Sequence, residues 1–162
     1  MPRRRGAGGQ TADPDYYRYL LKVPLASAPG ETSVYCSMSP NLVFGIVGRV
    51  TGEAVLDTFD RLIAEPLHVA RYAWPLEPAG HPYGGGGVRA LPRDFMKLGQ
   101  VMLDGGTWNG HRILGREFVA RASAPLHDLN GIRYGYLWWS IEYPYKAGRC
   151  ARSSRPETAD RP

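Results

Sequence analysis

Pro29-Gly30-Glu31-Thr32-Ser33-Val34-Tyr35-Cys36-Ser37-Met38-Ser39-Pro40-Asn41-Leu42-Val43-Phe44-Gly45 holds the clearest change of local structure in the chain. Pro29-Gly30 is a turn signal. Val34 to Ser37 then read as short and extended. Proline suits a first helical turn, where its missing N–H has no partner to lose, so a helix is expected to start near Pro40. Leu42, Val43, Ile46, Val47 and Val50 recur at helical spacing and predict a core-facing stripe. Gly52, just past Val50-Thr51, fits the position after a helix, where a left-handed residue is needed. Gly45 and Gly48 leave room for neighbouring backbone to come close.

Working outward, residues 13–29 hold Tyr16, Tyr17 and Tyr19 followed by Leu20 and Leu21, a short helix ending before Pro24. On the other side, Val55, Leu56, Phe59, Leu62 and Ile63 form the stripe of a second core helix, stopped by Pro66. The pattern dissolves from Ala70 to Leu91, where three prolines and the run Gly84 to Gly87 predict a long loop. A third helix is expected from Pro92 to Leu103, with Phe95, Leu98 and Met102 on one face. Thr107-Trp108-Asn109-Gly110-His111-Arg112 is a hairpin, because Asn-Gly suits a two-residue turn with both φ angles positive. Glu117 to Ala122 is a short helix. Gly135 to Ile141 (GYLWWSI) reads as one aromatic strand with Trp138 and Trp139 packing on its two faces. One hairpin and one strand make a poor sheet alone.

The chain has 162 residues, 43% apolar and 22% charged, as in ordinary soluble domains. Its formal charge of +5 is not spread evenly. Arg3, Arg4 and Arg5 open the chain and Arg149, Arg152, Arg155 and Arg161 close it. The body from Gly6 to Lys146 holds thirteen basic and thirteen acidic residues and is neutral. A phosphate-binding groove, and with it a nucleic-acid partner, is not supported. Residues 1–12 and 147–162 are expected to be disordered tails; the second contains no Leu, Ile, Val, Phe, Tyr, Trp or Met with which to offset its ordering entropy. Residues 13–146 are expected to form a partial domain. MPRRRGAGGQ is charged but leads into no apolar stretch, so no signal peptide is read; the chain is cytoplasmic as written, an upstream segment could carry an export signal, and the compartment stays open. No apolar run is long enough for a membrane span.

Cys36 and Cys150 fit neither a disulfide framework nor a zinc site; Cys36 reads as a small packed side chain. His68, His81, His111 and His127 are scattered without metal-ligand spacing, and the glycine run lacks the Gly-Lys-Ser/Thr ending of a phosphate-binding loop. No metal or cofactor is expected. None of the eight serines has lysine three residues on, no Gly-x-Ser-x-Gly occurs, and neither Lys-Thr-Gly nor His-x-Gly is present.

The stretch quoted first resembles the second motif region of β-lactamase-related serine hydrolases, a group with class C β-lactamases, penicillin-binding proteins and esterases. Those proteins have a Pro-Gly turn, then Tyr-x-Asn or Tyr-Ser-x, then a Leu- and Gly-rich helix ending in Thr-Gly, here Thr51-Gly52. Further blocks keep the family's order: Glu65-Pro66-Leu67-His68-Val69, Gly84 to Asp94 (GGGGVRALPRD), Asp104 to Leu114 (DGGTWNGHRIL) and Tyr134 to Trp139 (YGYLWW). Each is weak alone; in order, over about residues 13–146, they are specific. The resemblance implies an α+β class: the mostly helical part of a β-lactamase-like fold, with a short hairpin, one aromatic strand and an incomplete central sheet.

It also implies acyl transfer to a serine that a lysine one helical turn away activates, on an ester, lactam or peptide substrate. Tyr35 matches the second-motif tyrosine, whose phenol relays a proton once nearby cations lower its pKa. Ser37 falls where many relatives carry an asparagine that contacts lysine and substrate. Its shorter reach leans away from lactams, towards an esterase or peptidase-like relative. Tyr83, beside the glycine run, is either a solvated loop residue or part of the cleft. The Ser-x-x-Lys motif would precede Tyr35 and the third motif would follow residue 141. The chain is therefore expected to be an interior fragment, inactive as written, and the change of character after Lys146 is read as a shifted reading frame. The alternative is a non-catalytic binding module or decayed remnant of the same fold.

Overall fold

The computed structural model describes residues 12–124, 126–129 and 131–141, together with the backbone of Pro144–Tyr145 and Gly148–Arg149. Helix α1 (Tyr16–Lys22) begins where the Asp15 carboxylate accepts the Arg18 N–H at 2.9 Å, satisfying one of the amides that a helix start leaves unpaired. Helix α2 (Ser39–Thr51) has Pro40 in its first turn and ends at Gly52, whose φ of 72° is the expected left-handed cap. Helix α3 (Val55–Phe59) widens into a π-helical turn, Asp60–Ala64, before Pro66. Helix α4 (Pro92–Leu103) and helix α5 (Arg116–Ser123) complete the helical part.

The strands are short. β1 (Tyr72–Ala73) pairs antiparallel with β2 (Arg89–Ala90), inside the segment expected to be all loop. β3 (Thr107–Trp108) and β4 (His111–Arg112) form the expected hairpin, with Asn109 and Gly110 at φ 48° and 81°. β5 (His127–Leu129), β6 (Ile132–Gly135) and β7 (Trp138–Ser140) make a three-stranded antiparallel sheet. The single strand expected over Gly135–Ile141 is thus corrected: the chain reverses at Tyr136 and Leu137, both at positive φ (46° and 68°), and Trp138 pairs back to Gly135. β8 (Pro144–Tyr145) pairs with β9 (Gly148–Arg149), so backbone pairing continues past residue 146. The expected tail at residues 1–12 lies outside the described residues except for Ala12, and that at 147–162 except for Gly148 and Arg149.

Two packed regions position these elements. Met102 of α4 and Val119 and Ala122 of α5 are buried together, with Leu114 and Trp138 against them. Phe44 of α2, Phe59 of α3, and Tyr72 and Trp74 at β1 form an aromatic box with centroids 5.1 to 6.4 Å apart. Asp94, in the first turn of α4, is buried and holds the chain before β1: it accepts the Ala70 N–H at 3.1 Å and pairs with Lys97 at 2.6 Å. That lysine and the Ala70 and Arg71 amides keep its carboxyl below the ordinary carboxylate range, against a smaller opposing effect of burial. The expectation that the helical stripes are core needs correction. On α2, Val43, Ile46 and Val50 are 43%, 61% and 79% exposed, and Phe95 of α4 is exposed as well. Gly48 admits the Glu53 carbonyl, as expected, whereas Gly45 receives the ring of Tyr17, a side chain.

Candidate active site

Tyr35 and Ser37 lie in the extended segment and turn that lead into α2. Both are exposed and Cys36 between them is half-buried. Three contacts from distant sequence hold this segment. Upstream, the Ser33 hydroxyl is 2.9 Å from Nδ1 of His127 on β5. At Tyr35, the ring meets Trp139 of β7 at 5.0 Å and Tyr134 of β6 at 6.1 Å, and these two rings lie 4.6 Å apart. Downstream, the glycine run closes on the start of α2. Gly84 donates its N–H to Asn41 Oδ1 at 2.6 Å, and a Cβ at Gly84 would come within 2.8 Å of the Pro40 carbonyl. A Cβ at Gly85 would overlap the Ser37 carbonyl and the Tyr83 ring. Two successive residues without side chains let the loop backbone pack directly on the Ser37 turn.

Tyr83 is half-buried, edge-on to Tyr16 at 6.0 Å, and its carbonyl accepts the Trp74 indole N–H at 2.9 Å. It is therefore not a freely solvated loop residue. Its phenol is pushed above the ordinary tyrosine value by burial first, then by the proximity of Tyr16, Cys36 and Tyr35. Tyr134 is raised for the same reasons, burial first and Tyr35 second. Burial also raises the Cys36 thiol, but hydrogen bonds from the Ser39 hydroxyl and the Met38 and Ser39 amides outweigh it and leave the thiol below its usual value. Among the described residues, Cys36 has no disulfide partner.

Tyr35 thus stands at the meeting point of α2, the glycine loop and the β5–β7 sheet. Ser37 is tied in through its backbone. Sequence reasoning missed Tyr134, Trp139 and the Ser33–His127 contact. Trp138 does face the core cluster, but Trp139 turns to Tyr35; local alternation separates the two faces without saying what the outer one meets. Among the described residues, no group of three or more His, Cys, Asp or Glu is placed to hold a metal ion, and no helix is long and apolar enough to cross a membrane.

The chain has relatives among known proteins. The chain is similar, at 32% identity over 120 residues, to a 6-aminohexanoate-dimer hydrolase of Paenarthrobacter ureafaciens; the match covers 71% of this chain and 30% of the relative. Among solved structures, a Bacillus anthracis protein assigned as a 6-aminohexanoate-dimer hydrolase superposes with a TM-score of 0.69 at 21% identity, covering 77% of this chain and 34% of that one. A penicillin-binding protein from Bacillus halodurans gives 0.60 at 15%, covering 84% and 54%. The chain spans about a third of the length of the hydrolase relatives. The small, incomplete sheets fit the α+β class expected from the sequence. A family model described as Beta-lactamase matches residues 2–148, and the chain belongs to that family.

Proposed function

We propose that this chain carries the tyrosine side of an acyl-transfer site that cleaves a linear amide or ester through an acyl-serine. The observation that supports this most is the place of Tyr35. It is half exposed at the head of α2, in the Tyr-x-Ser arrangement, with the glycine loop packed against the following turn. In this role the Tyr35 phenolate takes the serine proton as the carbonyl is attacked and returns it to the departing amine or alcohol. The Ser37 hydroxyl hydrogen-bonds the lysine or the substrate. In this reading a lysine's positive charge beside the Tyr35 phenol favours its ionised form. Similarity to a 6-aminohexanoate-dimer hydrolase suggests a short linear amide rather than a lactam. The shorter Ser37 in place of asparagine points the same way.

No Ser-x-x-Lys occurs in the 162 residues, so the chain alone should not form an acyl-enzyme. That same absence supports the second reading, a binding module without catalysis. A fluorophosphonate probe separates the two. The chain alone should remain unlabelled. Supplied with a Ser-x-x-Lys-bearing portion of a relative, it should support labelling and hydrolysis of the 6-aminohexanoate dimer, and Tyr35→Phe should lower the turnover by ~10²-fold or more. Full turnover with Tyr35→Phe would remove Tyr35 from the mechanism, and labelling of a serine on the chain alone would overturn the need for a second part.

A further inference from the structure

We infer that Glu77 is a positioning residue of the candidate site: its buried carboxylate seats the first turn of α1 so that Tyr16 holds Tyr83 against the Ser37 turn. Glu77 lies between β1 and β2, and its side chain is 1% exposed. Its Oε2 accepts the Tyr16 N–H at 3.2 Å, from 61 residues away in sequence. Its Oε1 accepts the His81 N–H at 3.2 Å and lies 2.6 Å from His81 Nδ1. That last pair is close without the alignment of a hydrogen bond, so it is a contact of charge when the imidazole is protonated. A carboxylate this buried is tolerated only where such partners surround it. No step of the acyl-transfer reading uses it.

α1 needs this anchor. None of its residues is buried, and Leu21 is 77% exposed. Glu77 sets two consecutive tyrosines of the helix against different neighbours. The Tyr17 ring stacks on the His81 ring at 4.5 Å and rests over Gly45 of α2. The Tyr16 ring meets Tyr83 edge-on at 6.0 Å. The phenol end of Tyr83 and the Ser37 carbonyl both crowd the point where a Gly85 Cβ would stand. The path of contacts runs from Glu77 through Tyr16 and Tyr83 to the turn that carries Ser37. Tyr35 is held from elsewhere, by Tyr134 and Trp139 of the sheet. The two hydroxyls of the candidate site thus have separate supports, and Glu77 belongs to that of Ser37. Its effect on turnover rests on the acyl-transfer reading; its effect on Tyr83 does not.

The first test titrates the tyrosine phenols of the full chain by nuclear magnetic resonance with carbon-labelled tyrosine. Tyr83 and Tyr134 both start above the ordinary value, burial first in each, and Tyr16 is the next cause at Tyr83. Glu77→Leu keeps most of the bulk and removes every acceptor. It should bring Tyr83 down towards the ordinary tyrosine value and leave Tyr134 where it is. Tyr16→Leu cuts the path one step further on, with the carboxylate left in place, and should give the same pattern; where Glu77→Leu does not fold, this variant decides. A fall at both tyrosines marks general loosening and overturns the positioning role, as does no change at Tyr83. The second test uses a chimera with this chain in place of the aligned segment of the Paenarthrobacter ureafaciens hydrolase. Both variants should raise KM for the 6-aminohexanoate dimer ~5-fold or more and change kcat by less than ~2-fold, the mark of lost binding with the Tyr35 relay intact. A fall in kcat at unchanged KM, or no change in either, overturns the role in turnover. A chimera without turnover in any form, beside a Tyr83 that responds as expected, would sink the acyl-transfer reading and leave the seating of Tyr83 by Glu77 standing.

Discussion

Asn41 joins the helix that follows Tyr35 to the loop that buttresses it. It is 1% exposed, its Oδ1 accepts the Gly84 N–H at 2.6 Å, and its Nδ2 has no partner among the described residues. Turning the amide over would set a donor against a donor, so the observed orientation is the only one that satisfies Gly84. One bond made and one group left wanting is a narrow net gain. The Gly84 amide is the more costly to orphan, because the loop can only pack on Pro40 and Ser37 while Asn41 anchors it. Asn41→Leu should lower unfolding free energy by ~1–3 kcal/mol, the desolvation cost of an unsatisfied buried donor. It should also speed hydrogen exchange at the Gly84 amide. Chemical denaturation and exchange measured by nuclear magnetic resonance check both; unchanged exchange at Gly84 would show that the loop holds without the anchor.

The turn between β6 and β7 shows what a local reading finds and misses. Tyr136 and Leu137 both adopt positive φ, which costs an L-residue ~1–2 kcal/mol, and both side chains are half exposed. Leu137→Gly removes one such cost and adds a smaller one, ~0.5–1 kcal/mol, for the freedom glycine gains in the unfolded chain. The net should be a rise of a few degrees in melting temperature at ~2–4 °C per kcal/mol, with Tyr35 packing retained; a fall would mean that Leu137 makes contacts outweighing its backbone strain. The hairpin at Thr107–Arg112 was legible because Asn109-Gly110 supplies residues that accept positive φ. The turn at Tyr136-Leu137 was not, since both residues favour strands and nothing marks a reversal. Likewise Pro40 and Gly52 marked the ends of α2 closely. The spacing of Val43, Ile46 and Val50 told which side chains share a face, but not whether anything covers it. Tyr35 and Ser37 were found through the family resemblance, while Trp139 and Tyr134, about a hundred residues on, carried no signal linking them to the site.

At the scale of the whole molecule, side-chain packing rather than strand pairing joins the helices, and the aromatic box ties α2 and α3 to β1. Tyr72 joins two of its other rings to the π-helical turn. Its ring meets Phe59 at 5.1 Å and Trp74 at 6.4 Å, and its hydroxyl donates to Asp60 Oδ1 at 2.7 Å in the π-helical turn. Burial, then the hydrogen bond and negative charge of Asp60, push the phenol up to about 12 from an ordinary value of 10.0. The folded state thus holds on to a proton that the unfolded chain gives up sooner. This contribution to stability is complete below pH 10 and is lost as the pH rises from there to about 12. The wild-type melting temperature should fall more steeply over that interval than that of Tyr72→Phe, which keeps the ring and has no proton to lose. Below pH 9 the two curves should differ by a nearly constant offset, set by the missing hydrogen bond at ~1 kcal/mol. Parallel curves across the whole range would mean that Tyr72 ionises alike in the folded and unfolded chains. The hold of the π-helical turn on β1, and through Trp74 and Phe44 on the helix behind Tyr35, would then rest on ring packing alone.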